Sequence, residues 1–334
     1  MRLSYQGESV EVFTMNHRTG DSWSDIQEVV HLTEKYGGSG VLFFEGNDVV
    51  PSPWMAGYHT FVSTQTLSPI VAVNPIYMHP FSAAKMVASY AIMFRRKTFL
   101  NMITGTALSY LDALDANLSH DDRYERLREY SQVIRALFEA RGEPVSHEGR
   151  YYRLVNAKLE VQIPDELHPE FFIAGQSEGA LRTAQEIGAV HMVMLSPKLT
   201  GDLPAGTRGM HFGVVCRETQ EDAWEASEHS FPQDNRGQRV QAMSMANTDG
   251  EWKKRLFEAS KEKHAPSSGY WMEPFRNFKA DRPYFVGSYE QAATLVVDMV
   301  QKGVRRFILD FPGKEEGFKH TAKAFDLARQ MLRA

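Results

Sequence analysis

"FFIAGQSEGALRTAQEIGAVHMVM" occupies residues 171 to 194. A short apolar run stops at a small polar turn, Gly175-Gln176-Ser177, helical periodicity starts at once, and a second apolar run follows in HMVML (191–195). Continuous apolar strands, rather than alternating ones, are what a parallel sheet covered on both faces requires. The stretch therefore reads as one β/α/β repeat. Its helix is predicted over 177–187, with Ala180, Leu181, Ala184 and Ile187 as the stripe facing the sheet.

The same rhythm extends in both directions. Toward the N-terminus, VEVFT (10–14), VLFF (41–44), PIVAVN (69–74) and TFLNMIT (98–104) read as strands. Helices follow them at about 24–36, 53–63, 80–94 and 121–140, the first with Ser24 and Gln27 as a capping pair. Residues 149–164 break the rhythm as a small hairpin, and EFFIA (170–174) resumes it. Toward the C-terminus, MHFGVVC (210–216) precedes a helix beginning near Gln220, and RRFILD (305–310) precedes a helix along Phe318, Ala322, Phe325, Ala328 and Leu332. Eight strands alternating with helices predict an α/β fold of the (β/α)8 TIM-barrel class, with residues 1–334 forming a single domain. Between the seventh and eighth strands a long stretch, 230–286, reads as irregular and is expected to be an active-site lid, or else a subunit-contact arm. Ser288 with Gln291, and Gly303, bracket the helix that leads back to the barrel.

Composition narrows the function. With 37 Lys and Arg against 42 Asp and Glu the net charge is −5, and no basic run stands out, so nucleic acid and anionic membranes are not expected partners. A single cysteine, Cys216, excludes an intramolecular disulfide and a multi-cysteine metal site, which fits a reducing compartment. No signal-peptide core and no run of 18 apolar residues is found, so a cytoplasmic protein is expected.

Candidate site residues lie where strands end. A strand that stops at Gly175 and feeds a helix capped by Ser177 gathers amide donors at one spot suited to an anion; an ordinary helix cap is the alternative. In SHDDRYERLREY (119–130), His120, Arg123 and Tyr124 crowd a first helical turn and supply phosphate donors, unless Arg123 simply pairs with a carboxylate and Tyr124 is core. In NMITG (101–105), Asn101 and Thr104 fall on opposite faces by the period of two, and Thr104 with the Gly105 backbone is better placed for a flat heteroaromatic ring.

Together the segments TFLNMITG, HDDRYERLREYSQVIRALF, EGRYY, FFIAGQSEGALRTAQEIGAV, VVCRETQEDAWEAS and YFVGSYEQAATLVVDMVQKGVRRFIL resemble the bacterial luciferase-like, flavin-dependent monooxygenases, in particular the alkanesulfonate monooxygenase branch. The resemblance spans about residues 10 to 330. It implies an eight-stranded barrel, FMN at the C-terminal mouth, and reduced flavin supplied by a separate flavin reductase, with O2 and a small molecule as co-substrates. By position, Ser177 with the Gly175 and Glu178 backbone, and Tyr124 with His120, would hold the FMN phosphate, while Thr104, Gly105 and Asn74 would lie near the ring. No metal is implied. Self-association is expected, as in relatives.

The resemblance has limits. Where the alkanesulfonate branch has Arg and His two residues apart, this chain has His211 and Gly213, and FEGNDVVPSPW (44–54) lacks that branch's cysteine. Guanidinium and imidazole are not interchangeable on a sulfonate, so a simple alkanesulfonate is not the expected substrate. An aromatic, histidine-rich pocket is expected instead, with His17, His79 and His211 as catalytic candidates and Trp54 and Tyr77 against the substrate. Tyr58 and His59 read as structural. His211, with an ordinary imidazole pKa near 6.5, is expected to exchange a proton near neutral pH. Hydride transfer with a deazaflavin on the same barrel, and a non-catalytic flavin-binding protein, are the competing readings; a metal-dependent hydrolase lacks the His-x-His that would follow the first strand.

Overall fold

In a computed structural model of the protein, the described residues are 1–15, 23–105, 107–175, 177–198, 201, 203–204, 206–262, 265–312 and 315–333. Eight parallel strands follow the predicted series: β1 (Glu8–Met15), β2 (Gly40–Phe43), β3 (Ile70–Val73), β4 (Phe99–Met102), β5 (Glu170–Ala174), β6 (Val190–Met194), β7 (Gly209–Arg217) and β8 (Arg306–Asp310). The hydrogen-bonded order is sequential, and β8 pairs with both β7 and β1, the cyclic order of a (β/α)8 barrel.

The helices of eight residues or more are α1 (Trp23–Lys35), α2 (Pro53–Ser63), α3 (Pro80–Phe94), α4 (His120–Glu139), α5 (Glu178–Glu186), α6 (Gln220–Ser230), α7 (Asn235–Ala246), α8 (Glu251–Ala259), α9 (Tyr289–Gln301) and α10 (Glu315–Met331). Their starts follow local chemistry. Side chains of Ser52, His79, Ser119, Ser177, Thr219 and Ser288 each accept a backbone N–H of the first turn, and Pro53 and Pro80 occupy first-turn positions that need no donor. Ser288 and Gln291 form the full capping box, and Gly303, at φ 106°, terminates α9 in the left-handed region as the sequence predicts. Ser24 does not cap α1, because the helix already includes Trp23.

Two compact units divide the described chain: Met1–Leu42 with Met192–Ala334, and Phe43–His191. The first is built on an apolar cluster in which Val12, Phe212, Phe307 and Phe325 sit between strands and the helices α9 and α10. The second is built on Val71, Leu100, Tyr130, Ile134 and Ile173, between β3, β4, β5 and the helices α3, α4 and α5. On α5 the buried residues are Ala180, Thr183 and Ala184, joined by Ile187, whereas Leu181 is 39% exposed. Thr183 thus replaces Leu181 in the stripe, because at the helical period 180, 183, 184 and 187 share one arc of the helix and 181 falls outside it.

The 230–286 stretch is not irregular: it holds α7, α8, a short helix at Glu273–Arg276 and a further strand, Tyr284–Ser288. That strand runs parallel to the C-terminal half of β7, with Tyr284 opposite Gly213. Periodicity alone missed it because YFVGS is short and adjoins a capping box. A hairpin is present near the predicted 149–164 but begins earlier, pairing Val145–Glu148 with Arg153–Ala157. A second unpredicted hairpin joins Leu3–Tyr5 to the start of β1.

Candidate active site

In the Phe43–His191 unit, the polar turn after β5 meets the first turns of α4 and α5. Gly175 has φ 136°, a conformation that costs a side-chain-bearing residue dearly. A methyl group at this position would stand 3.2 Å from the Tyr124 hydroxyl and 3.0 Å from Ala180 Cβ. Glycine is thus what lets Tyr124 close on the turn. Gly179 faces the same ring, whose Cδ2 would lie 3.4 Å from an added methyl. Ser177 Oγ accepts the Ala180 N–H at 3.2 Å, so Ser177 is the N-cap of α5 and Glu178 its first residue. His120 opens α4 with its ring 5.1 Å from that of Tyr124.

Four sequence-predicted phosphate residues, Gly175, Ser177, Tyr124 and His120, are therefore brought together. Arg123, next to Tyr124, is buried and donates to Leu118 O at 2.9 Å. Such a cluster of hydroxyls at a helix N-terminus, with a cradle that a Cβ would fill, suits a phosphate dianion.

Near the ends of β3 and β4, Asn74 and Gly105 are neighbours, since a methyl on Gly105 would lie 3.0 Å from Asn74 Nδ2. Asn74 Oδ1 accepts the Ile76 N–H at 3.2 Å, which fixes the amide orientation and leaves the Nδ2 side facing Gly105. Thr104 is buried just beyond the end of β4. These three form a second polar group in the same unit.

The remaining candidates have contacts of their own. His79 caps α3, its Nδ1 accepting the Phe81 N–H at 3.2 Å, and its ring edge lies against Tyr152. Trp54 is a core residue, 6% exposed, whose carbonyl accepts the Tyr90 hydroxyl at 2.5 Å. Tyr77 donates to Asn47 Oδ1 at 2.5 Å and remains partly exposed. Tyr58, read as structural, is 39% exposed on α2. His17 lies outside the described residues.

His211 is in the other unit, on β7, 8% exposed, with Nε2 3.3 Å from Met15 Sδ. A thioether has no proton, so this contact is a hydrogen bond only when Nε2 carries one. Burial, reinforced by the Arg282 guanidinium and opposed by Asp281 and Asp310, pushes the imidazole pKa down to about 3. The expectation that His211 exchanges protons near neutral pH is thereby corrected: without solvent the imidazolium has nothing to replace its hydration. Beside it, the position where the alkanesulfonate branch carries histidine is filled from elsewhere. A methyl on Gly213 would stand 2.3 Å from the Tyr284 ring, so the ring occupies that space. The Tyr284 hydroxyl donates to Asp310 Oδ2 at 2.8 Å, and Arg282 pairs with the same carboxylate and with Asp281. Sequence reading missed this network because Tyr284 opens a strand it did not predict, Arg282 lies just before that strand, and Asp310 ends β8.

Glu129 was missed as well. Its carboxylate accepts the backbone N–H groups of Tyr152 (2.8 Å) and Tyr151 (3.0 Å) and meets His147 Nε2 at 3.0 Å, fastening the 145–157 hairpin to α4. An added methyl on Gly149 would overlap that carboxylate, at 1.9 Å. The EGRYY motif is thus a structural fastening.

The family described as "Luciferase-like monooxygenase" matches residues 9–306. A curated relative, 4-(gamma-L-glutamylamino)butanoyl-[BtrI acyl-carrier protein] monooxygenase BtrO of Niallia circulans, is 29% identical over 334 residues, covering 96% of each chain. Among solved structures, EDTA monooxygenase (EmoA) from Chelativorans sp. BNC1 superposes with a TM-score of 0.68 at 17% identity, covering 97% of this chain and 93% of that one. The oxygenating constituent of 3,6-diketocamphane monooxygenase from Pseudomonas putida, in complex with FMN, gives 0.67 at 14% identity, covering 94% and 96%.

Proposed function

The chain belongs to the luciferase-like monooxygenase family, flavin-dependent oxidoreductases that oxygenate small organic molecules, and from that premise we propose that it is the oxygenating half of a two-component system, taking reduced FMN from a separate flavin reductase. One observation carries the cofactor assignment: the Tyr124 hydroxyl closes on the Gly175 turn at the capped N-terminus of α5. When bound, FMN supplies the electrons that activate O2. The chain's own groups bind and orient it. Ser177, Tyr124, His120 and the amide of Glu178 take the phosphate, and Asn74, Thr104 and Gly105 offer a polar edge to the ring. His211 serves as a neutral hydrogen-bonding group, carrying no charge through the working pH range. Tyr77 is the substrate-facing candidate, with buried Trp54 supporting the helix behind it.

Binding of reduced FMN tests the assignment. Ser177→Ala with Tyr124→Phe is expected to weaken it by about 2 kcal/mol, the worth of two hydrogen bonds to a charged group less what water restores. Unchanged affinity removes both residues from the site. For the substrate, an acyl group presented on a carrier, as named for the Niallia relative, is the first class to assay, ahead of simple alkanesulfonates.

Self-association is part of the same proposal. Met55, Tyr58 and Val62 form one stripe of α2, and Ile92 and Met93 lie on the last turn of α3; all five are between 39% and 58% exposed. Those two helices carry a single charged side chain, Lys85. An apolar patch on the order of several hundred Å2 is large for a monomer and is a normal nucleus for a dimer contact. Light scattering of Met55→Glu with Met93→Glu is expected to report a smaller species than the parent protein; the same mass for both contradicts it.

A further inference from the structure

His191, in the strand that closes the opening β/α/β stretch, has no role in the reading so far. It is the second residue of β6, and its Nε2 lies 2.5 Å from the carbonyl oxygen of Gly175. A carbonyl oxygen can only accept, so His191 must carry its proton on Nε2 and donate it; geometry sets the tautomer. The accepting carbonyl belongs to the residue at φ 136°, in the part of backbone space open to glycine alone, where a peptide group has the most freedom to rotate.

That freedom matters electrostatically. A turn that presents N–H groups attracts a dianion, and the same turn with one carbonyl rotated inward repels it. Ser177 caps the Ala180 N–H on the donor side of the turn, and the Tyr124 hydroxyl lies against the face where a Gly175 side chain would stand. The His191 contact reaches the carbonyl itself, from a strand away.

We propose that His191 is a positioning residue for the phosphate site: its Nε2–H retains the Gly175 carbonyl, so that an anion meets only the donor side of the turn. His191 does not itself touch the anion. The inference rests on the phosphate reading given above, and the two fail differently.

The test is anaerobic titration of the intact chain with reduced FMN and with reduced riboflavin, which lacks the phosphate, followed by tryptophan fluorescence. In the parent protein FMN is expected to bind more tightly. His191→Leu, which removes the donor, is expected to weaken FMN binding about tenfold while leaving riboflavin binding within about twofold, the usual weight of one hydrogen bond that orients a charged contact. His191→Gln, whose Nε2 stands as many bonds from Cβ as the imidazole Nε2, is expected to restore the FMN preference. His191→Asn, one bond shorter, is not. Equal losses for both flavins, no loss for either, or Asn equal to Gln would overturn the role of His191. Should His191→Leu fail to fold, the Gln and Asn pair decides alone. A parent protein indifferent to the phosphate overturns the site itself, and this role with it.

Discussion

Lowering the pH should expose the neutrality of His211 as a stability term. Its folded pKa of about 3 lies below the ordinary value of 6.5, so between those values the unfolded chain binds a proton that the folded chain refuses. Stability therefore rises with pH across that window, is complete above about 6.5, and is lost as pH falls through it. Taking the two values at pH 4, the unfolded state gains about 3 kcal/mol from this one group relative to pH 7. The assay is urea unfolding at pH 7, 6, 5 and 4 for the parent protein and for His211→Asn, which keeps a polar planar group but does not titrate. Both proteins share the titration of Asp281 and Asp310, so the difference between the two pH slopes isolates His211. A difference of about 3 kcal/mol by pH 4 is expected. Parallel slopes, or a His211 ring titrating near pH 6.5 by NMR, would refute the argument that burial and Arg282 keep the imidazole neutral.

Three further outcomes follow from contacts described above. Gly213→Ala places a methyl 2.3 Å from the Tyr284 ring and disturbs the carboxylate it shares with Arg282; a loss of roughly 3 kcal/mol or more by urea unfolding is expected, and a loss under 1 kcal/mol would mean that the ring moves freely. Glu129→Gln leaves Tyr151 and Tyr152 amides with a weaker acceptor and is expected to cost about 2 kcal/mol, with faster hydrogen exchange confined to residues 145–157; exchange unchanged there refutes the fastening. Gly175→Ala combines left-handed strain with contact on Tyr124 and Ala180, so about 2 kcal/mol of stability should go, together with the preference for FMN over riboflavin; a retained preference argues against the phosphate turn.

Where periodicity and capping chemistry act within a dozen residues, the sequence was a sufficient guide. Helices α2 and α3 begin at Pro53 and Pro80 because a proline after a capping side chain leaves few other options, and Ser288, Gln291 and Gly303 mark both ends of α9 for equally local reasons. The parallel barrel follows from eight apolar runs buried on both faces. The proposed phosphate cluster was legible in part, since Gly175 and Ser177 are two residues apart in the chain and Tyr124 lies in a recognisable motif.

What only the tertiary structure decided involves groups far apart in sequence whose energies depend on what surrounds them. No pattern around His211 reveals that it is buried beside Arg282, and an imidazole pKa is set by solvent access and neighbouring charge, neither of which is a property of the residue. The ring of Tyr284 over Gly213, and the bond from His191 to Gly175, likewise arise only when separate strands are laid side by side. The chain determines its elements through interactions among near neighbours; the chemistry of its polar groups is settled by distant ones, because burial and electrostatic fields are summed over the folded molecule.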